Sequence, residues 1–512
     1  MVTKMQGGFT HATFAPGVVV THWNGVPIER AVELNAERNA GSNPDARHAR
    51  GLEAMTVRPM MMAAPPDEHW VIVGYRAGST PLEVKLAWNV FEPEPAPGGG
   101  TGQGGGTGQG GGVGGAAGAN SSTLGVDAGA EMARRAKKAL FNPKAMDVER
   151  AAASVATAGG SAAAAPNLAE TSSLPDVFSF GTVTTPSGTL GYLRIWTFMA
   201  DEQAFVNEMI RILSLMPANG LIIDVRGNGG GNILCAELIL QLLTQHVVQP
   251  TTLSFVNSPL SLAICKRNDS LATWAPSIDQ SIETGEIHSQ SFSLLKPAEY
   301  NTIGQRYQGP AVLVTDALCY SATDIFSAGF QDNAIGPVLS AGGRTGAGGA
   351  NVWDHQDLEQ VLPPSSNPFT PLPKGASFRV AVRRVMRSGA HQGVPLEDLG
   401  VSPDANHRMT KNDVLNGNVD LINQAAAMLA GAARVSLSTT VGAPAGGQRT
   451  LTVVSTGLDR VDALVDGRPR ASADVAEGTH TMQIPHPGAG AHQLVLHGLA
   501  AGEMRVSFTT DL

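Results

Sequence analysis

Ser321 stands where a hydroxyl can be presented for nucleophilic attack. Before it runs Pro310-Ala-Val-Leu-Val-Thr-Asp-Ala-Leu318, apolar and β-branched, which predicts a buried strand. After it, Ile325, Phe326 and Phe330 recur at helical spacing. A serine at such a strand-to-helix junction has backbone N–H groups beside it that can stabilise an oxyanion. On its own the pattern more often describes a serine that simply caps a helix.

A second element changes that balance. Gly220-Leu-Ile-Ile-Asp-Val-Arg-Gly-Asn-Gly-Gly-Gly-Asn232 predicts a buried strand, a glycine-rich turn and then an almost wholly apolar helix over 233–244. Glycines are needed where the backbone takes positive φ or must approach another group closely, so the turn can aim N–H groups at an anion. A dinucleotide fingerprint would need glycine where Asn232 stands, and a phosphate loop would need a Gly-Lys-Ser/Thr ending that is missing here. A tight turn with no ligand remains an alternative for this piece alone.

Together the two elements resemble peptidase family S41, which includes the C-terminal processing proteases, the tricorn core and the chlamydial protease-like activity factor. The family's D-x-R-x-N-x-G-G turn corresponds to Asp224 through Gly231, and its S-A-[ST]-[DE] element to Ser321 through Asp324. The resemblance covers roughly residues 175 to 430. It implies a serine-type endopeptidase working through an acyl-enzyme on Ser321, with the N–H groups of Ala322 and Gly230 holding the oxyanion. It also implies a core like the crotonase and Clp-protease fold.

A serine hydroxyl needs a base within hydrogen-bond reach. One branch of the family uses lysine, yet no lysine occurs between Lys296 and Lys374. Arg344, in the corresponding stretch, cannot replace it, because guanidinium does not deprotonate in proteins. The other branch uses a histidine and a glutamate in an E-x-x-G-V-x-P-D segment, present here as Glu397-Asp-Leu-Gly-Val-Ser-Pro-Asp404. The resemblance gives Glu397 the role of orienting the histidine or holding a water, as the third group of a triad; otherwise it reads as a loop glutamate. The branch's histidine lies ahead of the PDZ-like module, which here begins almost at once. The expectation is therefore a chain that starts inside its first domain, with the base upstream. Of the 13 histidines, His11, His22 and His355 are the candidates within the chain, and none is assigned. His22 reads as a turn or strand residue, His48 as part of a polar helix face, and His355 as loop. Cys319 is a minor alternative nucleophile, read more simply as a small buried hydrophobe.

The elements around the site suggest an α/β architecture. Strands at 191–196, at Leu221 and at Ala311 alternate with helices, which predicts a mainly parallel, helix-covered sheet. Four segments are expected: a PDZ-like module over 1–94, a Gly-rich linker or insertion over 95–122, the S41-like catalytic domain over 123–433, and a small β-sandwich over 434–512 with six short alternating strands. The run at 95–112 is too poor in apolar residues to offset its ordering entropy.

Composition narrows the partners. The net charge is −9 and the longest basic cluster is Arg134-Arg-Ala-Lys-Lys138, so nucleic acid is not expected. No apolar run is long enough to span a bilayer. Three cysteines imply no disulfide framework, and the histidines show no metal-site spacing, so neither metal nor cofactor is expected. The expected partner is a peptide or protein substrate. Two other functions remain open: a peptidase-like binding scaffold without turnover, supported by the missing lysine and histidine, and a crotonase-like acyl-CoA enzyme, which would not require the Ser-Ala-Thr-Asp element. No secretion signal stands at Met1, and the compartment is left open.

Overall fold

The computed structural model describes residues 1–60, 63–91, 128–142, 146–147, 171–348, 352–432 and 434–512. The Gly-rich stretch at 95–122 lies outside the described residues. The N-terminal segment forms an antiparallel sheet of β1 (Val19–Trp23), β2 (Val26–Pro27), β3 (Trp70–Ala77) and β4 (Thr80–Ala87), in the order β2-β1-β3-β4. Helices α1 (Ile28–Ala36) and α2 (Pro44–Ala54) lie between β2 and β3 in sequence. Asn43 starts α2 by accepting the Ala46 N–H through its side chain, with Pro44 at the first helical position. Helix α3 (Ala128–Phe141) follows.

The central sheet has six strands: β5 (Phe178–Thr185), β6 (Gly188–Ile195), β7 (Leu221–Asp224), β9 (Ala311–Thr315), β10 (Val338–Ser340) and β14 (Ala405–Asn406). Their spatial order is β14-β10-β9-β7-β6-β5; only β5 runs antiparallel to its neighbour. Every residue of β7 and β9 is buried, as a strand covered on both faces requires. The period of two splits their side chains. Leu221, Ile223 and Leu313 pack with Phe205, Met209 and Ile212 of α4 (Glu202–Leu215), Cys235 of α5 (Ile233–Leu238) and Phe326 and Phe330 of α8 (Ala322–Asp332). Ile222, Val312 and Val314 face Leu421, Ala425 and Leu429 of α11 (Val419–Leu429) on the other side.

Beside this sheet, β8 (Thr252–Phe255) pairs antiparallel with β13 (Arg383–Met386) over a second core containing Trp274, Trp353 and Val385. Helices α6 (Pro259–Arg267) and α7 (Ala275–Thr284), the antiparallel pair of β11 (Val352–Asp354) with β12 (Arg379–Ala381), and α9 (His355–Val361) surround it; α10 (Lys411–Leu415) precedes α11. The C-terminal strands are β15 (Ser436–Val441), β16 (Gln448–Thr456), β17 (Arg460–Val465), β18 (Arg468–Asp474), β19 (Gly478–Pro485), β20 (Gln493–Ala500) and β21 (Glu503–Asp511). They form sheets β15-β16-β19 and β18-β17-β20-β21 whose apolar side chains share one core.

Two expectations change. The helix foreseen over 233–244 stops at Leu238 and continues as a 3₁₀ turn, Leu240–Leu242. There the Leu242 carbonyl accepts from Arg306 and Tyr307, and Gln241 Oε1 from Ile303 and Gly304, so tertiary bonds replace the helical ladder. The sandwich has a seventh strand, β18, unseen because Pro469 and its polar composition carry no apolar alternation; it lies at a sheet edge, where proline is tolerated.

Candidate active site

Ser321 follows the C-terminal end of β9 and opens α8 with φ 57° and ψ −124°. This is a left-handed conformation that costs a non-glycine residue on the order of 1–3 kcal/mol and persists only where the surroundings enforce it. A capping serine would sit in the extended region with its hydroxyl accepting from the first turn. Ser321 makes no such cap bond. The hydroxyl is therefore not spent on opening the helix.

Several groups enforce the strained turn. The Asp324 carboxylate, fully buried, accepts the N–H groups of Ala347 at 3.2 Å and Gly348 at 3.0 Å, the Thr345 hydroxyl and the Ser321 N–H. Asp316 accepts from Leu318 within the loop and from Gly227 at 2.9 Å, which ties the β9 loop to the glycine turn after β7. Tyr320 N–H donates to the Asn228 carbonyl, and the Cys319 thiol to that of Val225. Cys319 is fully buried, and burial holds its thiol well above the usual range; it has neither the exposure nor the thiolate character of a nucleophile.

The glycine turn presses against Ser321. At Gly230, φ is +103°, and a Cβ there would lie 2.6 Å from Ser321 Cβ, 2.7 Å from the Tyr320 carbonyl oxygen and 2.9 Å from Ala322 N. Only glycine fits. The Gly230 N–H donates to Asn228 Oδ1 at 2.9 Å. Ala322 is the first residue of α8, where an N–H lacks an intrahelical acceptor and the helix dipole favours negative charge.

The E-x-x-G-V-x-P-D segment is clipped onto the same region. Gly400 lets the chain pass Thr345, where a Cβ would meet the Thr345 carbonyl oxygen at 2.5 Å, and the Val401 N–H donates to Thr345 Oγ1 at 2.7 Å. Asp404 accepts the Val338 N–H of β10. Glu397 is half-buried, and both its carboxylate oxygens accept the Val385 N–H, at 2.8 and 2.9 Å. Burial pushes it up to about 7; the Asp324 charge adds to the rise, while backbone N–H groups and Arg384 oppose it. Burial likewise pushes Asp324 up to about 6.

Five of the histidines have partners of their own. His11 accepts from the Thr13 and Phe14 N–H groups and His22 meets Thr21. His355 is not a free loop residue: it is buried against Phe369 and Phe378 and faces Glu359. His391 pairs with Asp332 and His407 with Asp413. His48 is exposed on α2.

Some partners left no trace in the sequence. Arg50 of α2 lies 4.1 Å over the Tyr320 ring and donates from Nε to its hydroxyl at 2.7 Å. Asn43 donates to the Thr345 carbonyl, and Asp45 accepts the Arg344 N–H. The N-terminal segment thus grips both sides of the strained turn.

The model of peptidase family S41 matches residues 189–407. That segment belongs to peptidase family S41. It runs from β6 through the Glu397 segment and contains the glycine turn and Ser321, and the family acts on peptides or proteins. Among solved structures the chain is similar to mature CPAF complexed with lactacystin, at 15% identity and TM-score 0.50 over 82% of this chain and 80% of that one. It is also similar to mature CPAF, at 16% identity and TM-score 0.50 over 82% and 77%. The photosystem II D1 C-terminal processing protease is more distant, at 13% identity and TM-score 0.33 over 81% and 70%. At these identities the likeness concerns the fold. No curated protein matches the sequence. Among the described residues, no His/Cys/Asp/Glu group is placed to hold a metal, and no helix is long and apolar enough to cross a membrane.

Proposed function

We propose that this S41 peptidase is a serine-type endopeptidase in which Ser321 Oγ attacks the scissile carbonyl and forms an acyl-enzyme that water then hydrolyses. The observation that carries this reading is the strained Ser321 backbone combined with a hydroxyl not used as a cap. The oxyanion takes the Ala322 N–H and a share of the Gly230 N–H, which now points at Asn228 Oδ1. Such donors are worth about 10²–10³ in rate each. Glu397, ionised, orients and charge-stabilises a histidine base. The N-terminal sheet, the PDZ-like module of this reading, positions an extended peptide by strand addition.

A second reading, a peptide-binding scaffold without turnover, is favoured by one observation: His355, His391 and His407 each face a carboxylate of their own. Reaction with a fluorophosphonate separates the two. An activated Ser321 becomes covalently labelled and Ser321→Ala does not; an unlabelled wild-type protein supports the scaffold, and peptide cleavage that survives Ser321→Ala sinks the nucleophile assignment.

A further inference from the structure

A cavity of about 620 Å³ opens beside the β8–β13 sheet, lined by residues 285–290 and Arg384. Its wall is preformed. Gly285, at φ 69°, ends α7. Asn257 then holds the loop by donating from its side chain to the Glu286 carbonyl at 2.7 Å and from its backbone to that of Ile287 at 2.8 Å. Ser289 Oγ accepts the Phe255 N–H at 2.9 Å. A fixed wall lowers the ordering cost of binding.

Arg384 stands opposite Ser254 in the β8–β13 register, and its Nε donates to the fully buried Ser254 hydroxyl at 3.2 Å. Among the described residues no other hydrogen bond holds the guanidinium, which leaves the ends of its fork for a ligand. The cavity contains two other titratable groups. His288 is held below its usual range by burial and by Arg384, which favours its neutral form. Glu286 is exposed and its charge is screened by water. The half-buried Arg384 is the effective charge. One residue along β13, the Val385 N–H holds Glu397, and Arg384 acts electrostatically on that same carboxyl. The cavity therefore adjoins the strand that holds Glu397.

We propose that Arg384 is a specificity-determining residue that receives a carboxylate of the bound peptide, from an acidic side chain or from the chain terminus. The planar fork matches a carboxylate bidentately, and the exposed Ile287 offers an apolar wall for the stem that carries it. The proposal rests on the peptidase reading for its location, but its test does not depend on turnover.

Binding of fluorescein-labelled decapeptides to full-length Ser321→Ala protein is measured by anisotropy. The peptides are randomised except for one position fixed as Glu or Gln, and each set is made with a free or an amidated C-terminus. The expected result is about tenfold tighter binding of the acidic member, equivalent to about 1.4 kcal/mol, abolished by Arg384→Gln and partly restored by Arg384→Lys, with thermal unfolding checking that both variants fold. Discrimination at the fixed position assigns a side chain; discrimination at the chain end assigns the terminus. Equal binding of acid and neutral peptides, or discrimination that survives Arg384→Gln, overturns the proposal. Acid discrimination in a protein whose Ser321 resists fluorophosphonate keeps this proposal while removing the nucleophile.

Discussion

Replacing Gly230 by alanine tests whether the glycine turn shapes Ser321. The added Cβ would fall 2.6 Å from Ser321 Cβ, 2.7 Å from the Tyr320 carbonyl oxygen and 2.9 Å from Ala322 N. Two of these three neighbours are backbone atoms and the third is the first side-chain atom of the strained serine, so none can swing aside. The turn or the serine must move by nearly 1 Å, because ordinary contact begins at 3.4 Å. Left-handed strain at φ +103° adds to this, on the order of 1–3 kcal/mol. Gly227→Ala is the matched control: φ there is +65° with nothing within 4 Å, and its N–H bond to Asp316 needs no side chain. Its cost is the left-handed term alone, about 1–2 kcal/mol. A displacement of about 1 Å at a reacting group costs on the order of 10²-fold in rate. Gly230→Ala should therefore slow fluorophosphonate labelling about 10²-fold, whereas Gly227→Ala should lower the melting temperature and label at nearly the wild-type rate. Wild-type labelling by folded Gly230→Ala would refute the claim that this glycine shapes the Ser321 turn.

Two further predictions concern its surroundings. Glu397 is raised from 4.5 to about 7, so the folded protein holds its proton more tightly than the unfolded chain; its contribution to stability is fullest below 4.5 and declines as pH rises towards 7. If the ionised form orients the base, labelling climbs through the same region, and Glu397→Gln should flatten both pH profiles; unchanged profiles would remove Glu397 from the site. Arg50→Ala removes a hydrogen bond and a cation–π contact to Tyr320, together about 1–2.5 kcal/mol. It should lower both melting temperature and labelling rate, and an unaltered rate would mean that α2 does not position the strained turn.

What could be read from the sequence was local. The serine, the glycine turn and the Glu397 segment are short runs whose residue types answer to their own backbone: positive φ, close approach, a strand end. The layered sheet was legible because β7 and β9 are buried on both faces and read as unbroken apolar runs. What escaped depends on distant pairs. Arg50 and Tyr320 are separated by 270 positions, and neither has a neighbourhood that announces the other. The helix after Asn232 was overestimated because its composition is helical throughout, while the bonds that end it come from residues 303–307. The cavity at Arg384 is built from a loop and a strand with no motif at all.

The strain at Ser321 also bears on whether the protein is an enzyme or a scaffold. A serine that merely opened α8 would relax to the extended region and accept a first-turn N–H through its hydroxyl oxygen, gaining a cap worth about 1 kcal/mol. Here that gain is forgone and a left-handed backbone is imposed instead. Asp324 supplies four bonds to hold it, at the cost of burying a carboxyl that burial itself pushes up to about 6. A surface that only bound peptides would have no use for this expense, because strand pairing and pockets do not depend on how one hydroxyl is aimed. If Ser321 does not react, Asp324→Asn should be tolerated by peptide binding; if it does, the same change should abolish labelling while peptide affinity persists.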